Sequence, residues 1–346
     1  MTAGPDSCYL DLYDALLLDL DGTVMHGPRP IEHAAEGILA GRDAGAGIAF
    51  VTNNASRTPR QVVDHLRTVG VEASEDEIVT SPQIAARLLA EQLEPGATVL
   101  VVGSEGLAEE VRGVGLEPVV EDREDVVAVI QGWDPSLGWA RLAEGGYALR
   151  RGALWMATNT DATLPTEKGI APGNGSLVAA LRHATGREPQ VAGKPEPGMF
   201  RGAADRLGAR RPLAVGDRLD TDIEGGNRAG MDSLMVLTGV DSALDALRAD
   251  PIRRPTWIEQ DLSSLGRPAP RAVLEGERAQ CGPVHATWED GDIRLGGPAQ
   301  DIRTLRCALA LVAHHRPEAR FTGSLRDAEG RELDALPAPD PEPAAL

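Results

Sequence analysis

Four short segments of this 346-residue chain carry residues whose types and spacing suit work on an anionic oxygen compound. In Asp19-Leu20-Asp21-Gly22-Thr23, two acids stand two positions apart at the end of the apolar run 15–20 (ALLLDL). Side chains two apart on a strand point to one face, so Asp19 and Asp21 can look into one crevice. Gly22 permits a sharp exit from the strand. A second acidic group, Gly216-Asp217-Arg218-Leu219-Asp220-Thr221-Asp222, follows the run 213–215. Thr52-Asn53-Asn54 follows GIAFV (47–51) with small hydrogen-bonding groups suited to phosphate oxygens. Lys194 stands in the loop Ala192-Gly193-Lys194-Pro195, ahead of a helical segment.

These segments close short apolar runs that alternate with stretches of helical period, the pattern of an α/β fold with a largely parallel sheet. Strands are expected over 15–20, 47–51, 213–215 and 233–237, with a short one at 77–80. Helices are expected over 31–43, from Pro59, over 198–207 and near 223–229. A second α/β module lies between them, with strands at 98–102, 126–130 and 154–157 and a helix over 175–184. Ligands of open α/β sheets bind beyond the carboxyl ends of strands, and the four segments lie there. From about Arg267 prolines mark a linker. Asp290-Gly291 then signals a hairpin over 288–295, residues 301–315 read as an amphipathic helix, and the final PAPDPEPAAL reads as disordered.

Two carboxylates about 4 Å apart repel by roughly 4 kcal/mol at an effective dielectric near 20. Asp19, Asp21 and Asp217 therefore cannot all stay ionised together without a cation. An all-oxygen site beside phosphate suits Mg²⁺, and no His or Cys falls at zinc spacing. The formal net charge of −19 speaks against nucleic acid or an anionic membrane as partner. An anionic substrate then needs a local positive site, which Mg²⁺ and Lys194 would supply. No run reaches the ~20 apolar residues of a membrane span, and the N-terminus lacks a signal-peptide pattern. Cys8, Cys281 and Cys307 are far apart and read as reduced thiols. A soluble, cytoplasmic protein is expected.

DLDGT, TNN, GKP and GDRLDTD, in this order, resemble the four motifs of the haloacid dehalogenase (HAD) superfamily of phosphatases over about residues 10–265. The long insert between TNN and GKP is similar to the large α/β cap of the NagD-like class. The resemblance implies a Rossmann-like parallel-sheet core over 10–81 and 190–266, an inserted substrate-selecting cap over 82–189, a small α+β C-terminal domain over 270–335 and a disordered tail over 336–346. It implies Asp19 as the nucleophile that accepts the phosphoryl group. Asp21 would protonate the leaving oxygen and then activate water. Asp19, the backbone carbonyl of Asp21 and Asp217 would hold Mg²⁺, with Asp222 supporting through water or the loop. Gly22, Thr52, Asn53 and Lys194 would bind the phosphate.

Asn159-Thr160-Asp161 and Pro172-Gly173-Asn174-Gly175 fall in segments that overhang the active site in the related cap class. Asn159, Asp161 and Asn174 are therefore candidate substrate residues, with His26 at the mouth of the catalytic turn. The stretches TNTDATLP and APGNG are similar to those of NagD-like proteins of high-GC bacteria that dephosphorylate glycerol 3-phosphate. Those proteins carry a C-terminal domain resembling part of an acetyltransferase (GNAT) fold, here too short to complete an acyl-CoA site. The expected substrate is glycerol 3-phosphate or a similar small phosphomonoester. Alternatives are a broader phosphatase acting on nucleotides, pyridoxal phosphate, phosphoglycolate or 4-nitrophenyl phosphate, and a non-enzymatic phosphometabolite-binding regulatory protein. Capped relatives often pair through their caps, so the resemblance makes a homodimer one expectation, with the oligomeric state left open by the sequence. Trp133 and Trp139 are expected in the cap core, and Gly103-Ser104-Glu105-Gly106 as a helix cap.

Overall fold

The computed structural model describes residues 8–54, 57–166 and 168–336, so the expected tail beyond Leu336 lies outside the described residues. The chain forms two compact units: residues 1–50, 67–71 and 204–346, and residues 51–66 and 72–203.

The first unit is built on a parallel sheet. Strand Ala15–Leu18 pairs with Pro212–Gly216 on one side and with Gly47–Thr52 on the other. Asp232–Val236 and Trp257–Glu259 continue the sheet beyond Pro212–Gly216. All four residues of Ala15–Leu18 are buried, as in a strand covered on both faces. Asp14 fixes its start. The Asp14 carboxylate accepts the backbone N–H of Arg210 at 3.2 and 3.1 Å and that of Arg211 at 2.8 Å. Its own N–H donates to the Arg211 carbonyl at 3.1 Å, and its carbonyl accepts the Gly47 N–H at 2.9 Å. Partial burial pushes the Asp14 carboxyl up, but the Arg211 and Arg210 amides outweigh it and hold it below its ordinary value.

The first long helix runs over Ala34–Asp43, later than the spacing predicts. His33 holds a left-handed backbone at φ 62°, and such a residue cannot be part of a right-handed helix. The last acidic segment forms a π-type turn, Leu219–Ile223, before the short helix Glu224–Arg228.

Strands Val273–Glu275, Arg278–Cys281, Val284–Glu289 and Asp292–Leu295 make an antiparallel meander, and Leu325–Arg326 joins in parallel. Asp290 and Gly291 both take positive φ, 51° and 97°, which matches the right-handed twist of a tight hairpin. Helix Ile302–His315 is capped by Asp301, whose carboxylate accepts the Arg303 N–H at 2.9 Å. Its Leu305, Leu309 and Val312 join Leu244, Leu247 and Ile258 in one apolar cluster. Beside that cluster Arg306 (5% exposed) meets Glu259 (2% exposed), which also accepts the Tyr9 hydroxyl.

The second unit contains a five-stranded parallel sheet in the order Gln190–Val191, Leu154–Ala157, Val126–Gln131, Thr98–Val102, Glu117–Val119. Its core gathers Leu100, Val129, Trp155, Leu149 and Leu181. Trp139, expected in this core, is 79% exposed. It opens helix Trp139–Arg151 off the stripe of Gly145, Ala148 and Leu149 that the helix buries. Trp155 takes the interior place, donating from Nε1 to the Gln131 Oε1 at 3.2 Å. Ser104 caps helix Glu105–Gly113, its hydroxyl accepting the Leu107 N–H. No helix among the described residues is long and apolar enough to cross a membrane.

Candidate active site

In a parallel pair the carboxyl ends of both strands reach the same rim. Leu18 pairs with Val215, and the Asp19 N–H donates to the Val215 carbonyl at 2.9 Å. Asp19 and Asp217 therefore leave the sheet side by side. The turn Leu219–Ile223 folds Asp222 back over the strand end, where a Cβ on Gly216 would fall 2.2 Å from the Asp222 Cβ. One carboxylate oxygen from each of Asp19, Asp217 and Asp222 lies within 4.8 Å of the others. All three side chains are buried.

Asp217 is tightly seated. Its Oδ2 accepts the Val240 N–H at 2.8 Å, and the Thr23 hydroxyl lies 3.5 Å from Oδ1. Two glycines leave the space it fills. At Gly22, with φ 94°, a Cβ would fall 2.3 Å from Oδ2, and at Gly239 1.9 Å. Asp222 accepts the Arg218 N–H at 3.2 Å. Three carboxylates so close repel one another, and a cation among them would offset that repulsion. Their donor set is all oxygen, which fits a small hard divalent ion.

The carboxylate of Asp21 is not in this group. It is exposed, and its Oδ1 accepts the Gly27 N–H at 3.4 Å. Asp220 forms a half-exposed pair with Arg218. His26 is exposed, with Nε2 2.9 Å from the Thr238 carbonyl. The Thr238 hydroxyl donates to the Gly22 carbonyl at 2.6 Å, so the two brace the catalytic turn. No residue type in the segment 238–241 marks it for this work. Its signal was position: it follows the strand Asp232–Val236 at the same edge of the sheet. Asp241 there accepts the Leu219 N–H at 2.7 Å, and burial raises its carboxyl above the usual range.

In the second unit, Asn53, Lys194, Asn159, Asp161 and Asn174 form one connected network. Lys194 is 3% exposed, and its ammonium donates to the Val51 carbonyl at 3.0 Å. Asn53 hydrogen-bonds the main chain of Lys194 and reaches the carboxylate of Asp161. The Asn159 amide donates to the Asn53 carbonyl at 2.9 Å, and the Asn174 amide to the Asn159 carbonyl at 2.7 Å. Thr52, adjacent in the chain, is 4% exposed and accepts the Asn54 N–H at 3.1 Å.

The family model of haloacid dehalogenase-like hydrolases matches residues 16–117, and one of HAD-hydrolase-like chains matches 191–265. The chain is 56% identical over 255 residues to a D-glycerol 3-phosphate phosphatase of Mycobacterium tuberculosis, spanning 73% of this chain and 71% of that protein. It belongs to the haloacid dehalogenase-like hydrolases. The chain is also similar to the 5'-nucleotidase YutF of Bacillus subtilis, 41% identical over 66% of this chain and 88% of that protein. A crystal structure of the glycerol phosphate phosphatase from M. tuberculosis in complex with magnesium matches with TM-score 0.83 and 44% identity, covering 93% of this chain and 95% of that one. A p-nitrophenyl phosphatase from Archaeoglobus fulgidus matches with TM-score 0.67 and 33% identity over 73% of this chain and 98% of its own. The parallel sheet thus agrees with the HAD fold of these relatives.

Proposed function

We propose that this chain is a magnesium-dependent phosphatase that hydrolyses glycerol 3-phosphate by way of a phosphoryl group carried on Asp19. The observation that carries the reading is the trio Asp19, Asp217 and Asp222, with oxygens within 4.8 Å. The 56% identity to a D-glycerol 3-phosphate phosphatase supports the choice of substrate. Asp19, the carbonyl of Asp21 and Asp217 would hold Mg²⁺, with Asp222 in support. When bound there, the ion supplies Lewis-acid neutralisation of the charge that builds between carboxylate and phosphate.

The chain's own groups carry the rest. A carboxylate oxygen of Asp19 bonds to phosphorus as the bond from phosphorus to the glycerol oxygen breaks. The carboxyl of Asp21, reached from solvent, gives its proton to that oxygen, and glycerol leaves. The Asp21 carboxylate then takes a proton from water, whose oxygen attacks the same phosphorus. The bond to Asp19 breaks, inorganic phosphate leaves, and both acids return to their starting states. Gly22, Thr52, Asn53 and Lys194 are assigned to the phosphate, the Lys194 ammonium offsetting its charge.

The inserted stretch 82–189 is assigned substrate selection, with Asn159, Asp161 and Asn174 as its candidate contacts and His26, beside the catalytic turn, as a further one. Residues 270–335 are assigned a GNAT-like appendage. A cytoplasmic setting suits the three free cysteines, and a homodimer belongs to the same reading, to be checked by sedimentation.

The test is release of inorganic phosphate from glycerol 3-phosphate. Release is expected with Mg²⁺, is lost with a chelator, and is abolished in Asp19→Asn while the circular dichroism spectrum is unchanged. Undiminished turnover by Asp19→Asn rejects the mechanism. A higher kcat/KM for 5'-nucleotides or 4-nitrophenyl phosphate rejects the substrate in favour of a broader phosphatase.

A further inference from the structure

We infer that Asn53 is a positioning residue for Lys194, tied in turn to the Asn159–Asp161 turn. On this view Asp161, counted above among the candidate substrate contacts, governs the turnover of every phosphomonoester instead of choosing among leaving groups. The inference rests on the phosphatase reading above and deepens it.

A side-chain amide has one acceptor oxygen and two N–H donors, and the Asn53 amide uses both ends within the protein. Its Oδ1 accepts the Lys194 N–H at 2.8 Å. Its Nδ2 donates to the Lys194 carbonyl at 3.1 Å and reaches the two carboxylate oxygens of Asp161 at 3.3 and 3.4 Å. Pairing with both the N–H and the C=O of one residue fixes that residue's backbone as a ladder pair would in a sheet. The fit is close, because a Cβ on Gly193 would fall 2.7 Å from the Asn53 Oδ1 and 2.6 Å from the Thr158 carbonyl.

The backbone of Asn53 is held as firmly as its side chain. Its carbonyl accepts the Ser81 hydroxyl at 3.1 Å and the Asn159 amide at 2.9 Å. Asn159 in turn accepts the Asp161 N–H at 3.2 Å on Oδ1 and the Asn174 amide at 2.7 Å on its carbonyl. Asn159 and Asn174 are buried, so these bonds lie in a low-dielectric setting where each is stronger than in water. The Asp161 bond is also assisted by charge. The consequence falls on the Lys194 ammonium. Its place beside the Val51 carbonyl follows from where its backbone starts, and a displacement of about 1 Å at a charge-stabilising group costs about 10²-fold in rate. The side chain of Asn53 therefore acts on phosphate through Lys194.

The experiment compares kcat/KM for glycerol 3-phosphate and 4-nitrophenyl phosphate, whose leaving groups share little. Asn53→Ala is expected to lower both by one common factor of about 10²-fold, and to raise the inhibition constant of orthovanadate. Asp161→Ala lowers both in common by a smaller factor. Asn53→Asp sets two carboxylates face to face and falls further, and adding Asp161→Asn to it restores part of the loss, because the new amide can donate to the new carboxylate. This recovery keeps the test decisive if Asn53→Ala folds poorly. The inference is overturned if Asn53→Ala stays within about twofold for both substrates. It is also overturned if Asp161→Ala shifts the ratio of the two kcat/KM values by about tenfold or more, which marks a selector of leaving groups. A wild-type chain that releases phosphate from neither substrate rejects the phosphatase reading itself, and the inference with it.

Discussion

Gly239 and Asp217 compete for one volume: a Cβ on Gly239 would fall 1.9 Å from the Asp217 Oδ2 and 2.3 Å from its Cγ. Gly22 approaches the same carboxylate, and its φ of 94° adds backbone strain to any side chain placed there. Gly239→Ala is therefore expected to displace Asp217 and to lower magnesium-supported phosphate release by about 10²-fold. Steady-state kinetics across a Mg²⁺ titration would read this, and activity near the wild-type level would show that the carboxylate tolerates the shift.

The three gathered carboxylates should repel when no cation is bound. Asp222→Asn removes one charge at nearly constant shape, so it is expected to raise the thermal midpoint of the metal-free protein. The same change should shrink the gain on adding Mg²⁺, since a ligand at a hundred times its Kd stabilises by about 2.7 kcal/mol and a weaker one by less. Thermal scans with chelator and with Mg²⁺ check both signs. A midpoint that drops without metal would show that Asp222 is held for reasons other than the ion.

The buried meeting of Arg306 and Glu259 links helix Ile302–His315 to the strand Trp257–Glu259. Removing one partner of such a pair strands the other charge and costs roughly 3–5 kcal/mol, whereas replacing both by apolar groups restores much of it. Arg306→Leu should thus lower the urea midpoint sharply, and Arg306→Leu with Glu259→Leu should recover part. Equal losses in the single and double variants would remove the pair as the cause.

Alkaline conditions should loosen the same region. Burial, with the neighbouring Cys281 thiol, pushes the Cys307 thiol up to about 12. Burial also raises Cys281, and burial with the Glu259 charge lifts the Tyr9 hydroxyl well above its ordinary value. For each acid the folded chain holds a proton that the unfolded chain releases. Stability from these groups is complete below the unfolded thiol range, about 8.5, and is lost as pH climbs towards the folded values. The urea midpoint should decline above about pH 9 and decline less in Cys307→Val. Thiol alkylation near pH 8 should reach Cys281 and Cys307 only in unfolded protein.

Much of this was legible in the residues. The apolar runs of the parallel strands, and the acids that follow two of them, can be read directly, because a parallel strand buried on both faces has no polar interruption until the chain leaves the sheet. Which acids would gather was less so. The spacing of Asp19 and Asp21 suggested a shared face, but the chain leaves strand geometry after Leu18, and the two-residue rule ends with the strand. A π-type turn brings Asp222 to the cluster instead; the motif resemblance names Asp222, but no periodicity in Leu219–Ile223 announces the turn that carries it there. Thr238 and Gly239 escaped notice because their work is to shape a turn and to make room. Neither shows in residue chemistry. The double use of the Asn53 amide was equally hidden, since it depends on Lys194 lying far along the chain. The docking of the C-terminal helix rests on Glu259 and Arg306, two charges that composition alone assigns to the surface.

Asp14 gives the rim chemistry an unexpected point of origin. The strand between Asp14 and Asp19 is apolar and buried throughout, so nothing in its side chains distinguishes one register from the next. The tether at Asp14 serves as the zero mark of a ruler about 16 Å long, at ~3.3 Å per residue. A slip of one notch would bring Leu20 to the spot where Asp19 now stands. The strand that leads to Asp19 is thus held at its start, where the amides of Arg210 and Arg211 grip a single carboxylate. Asp14→Ala is therefore expected to lower phosphate release while leaving every reacting group in the chain.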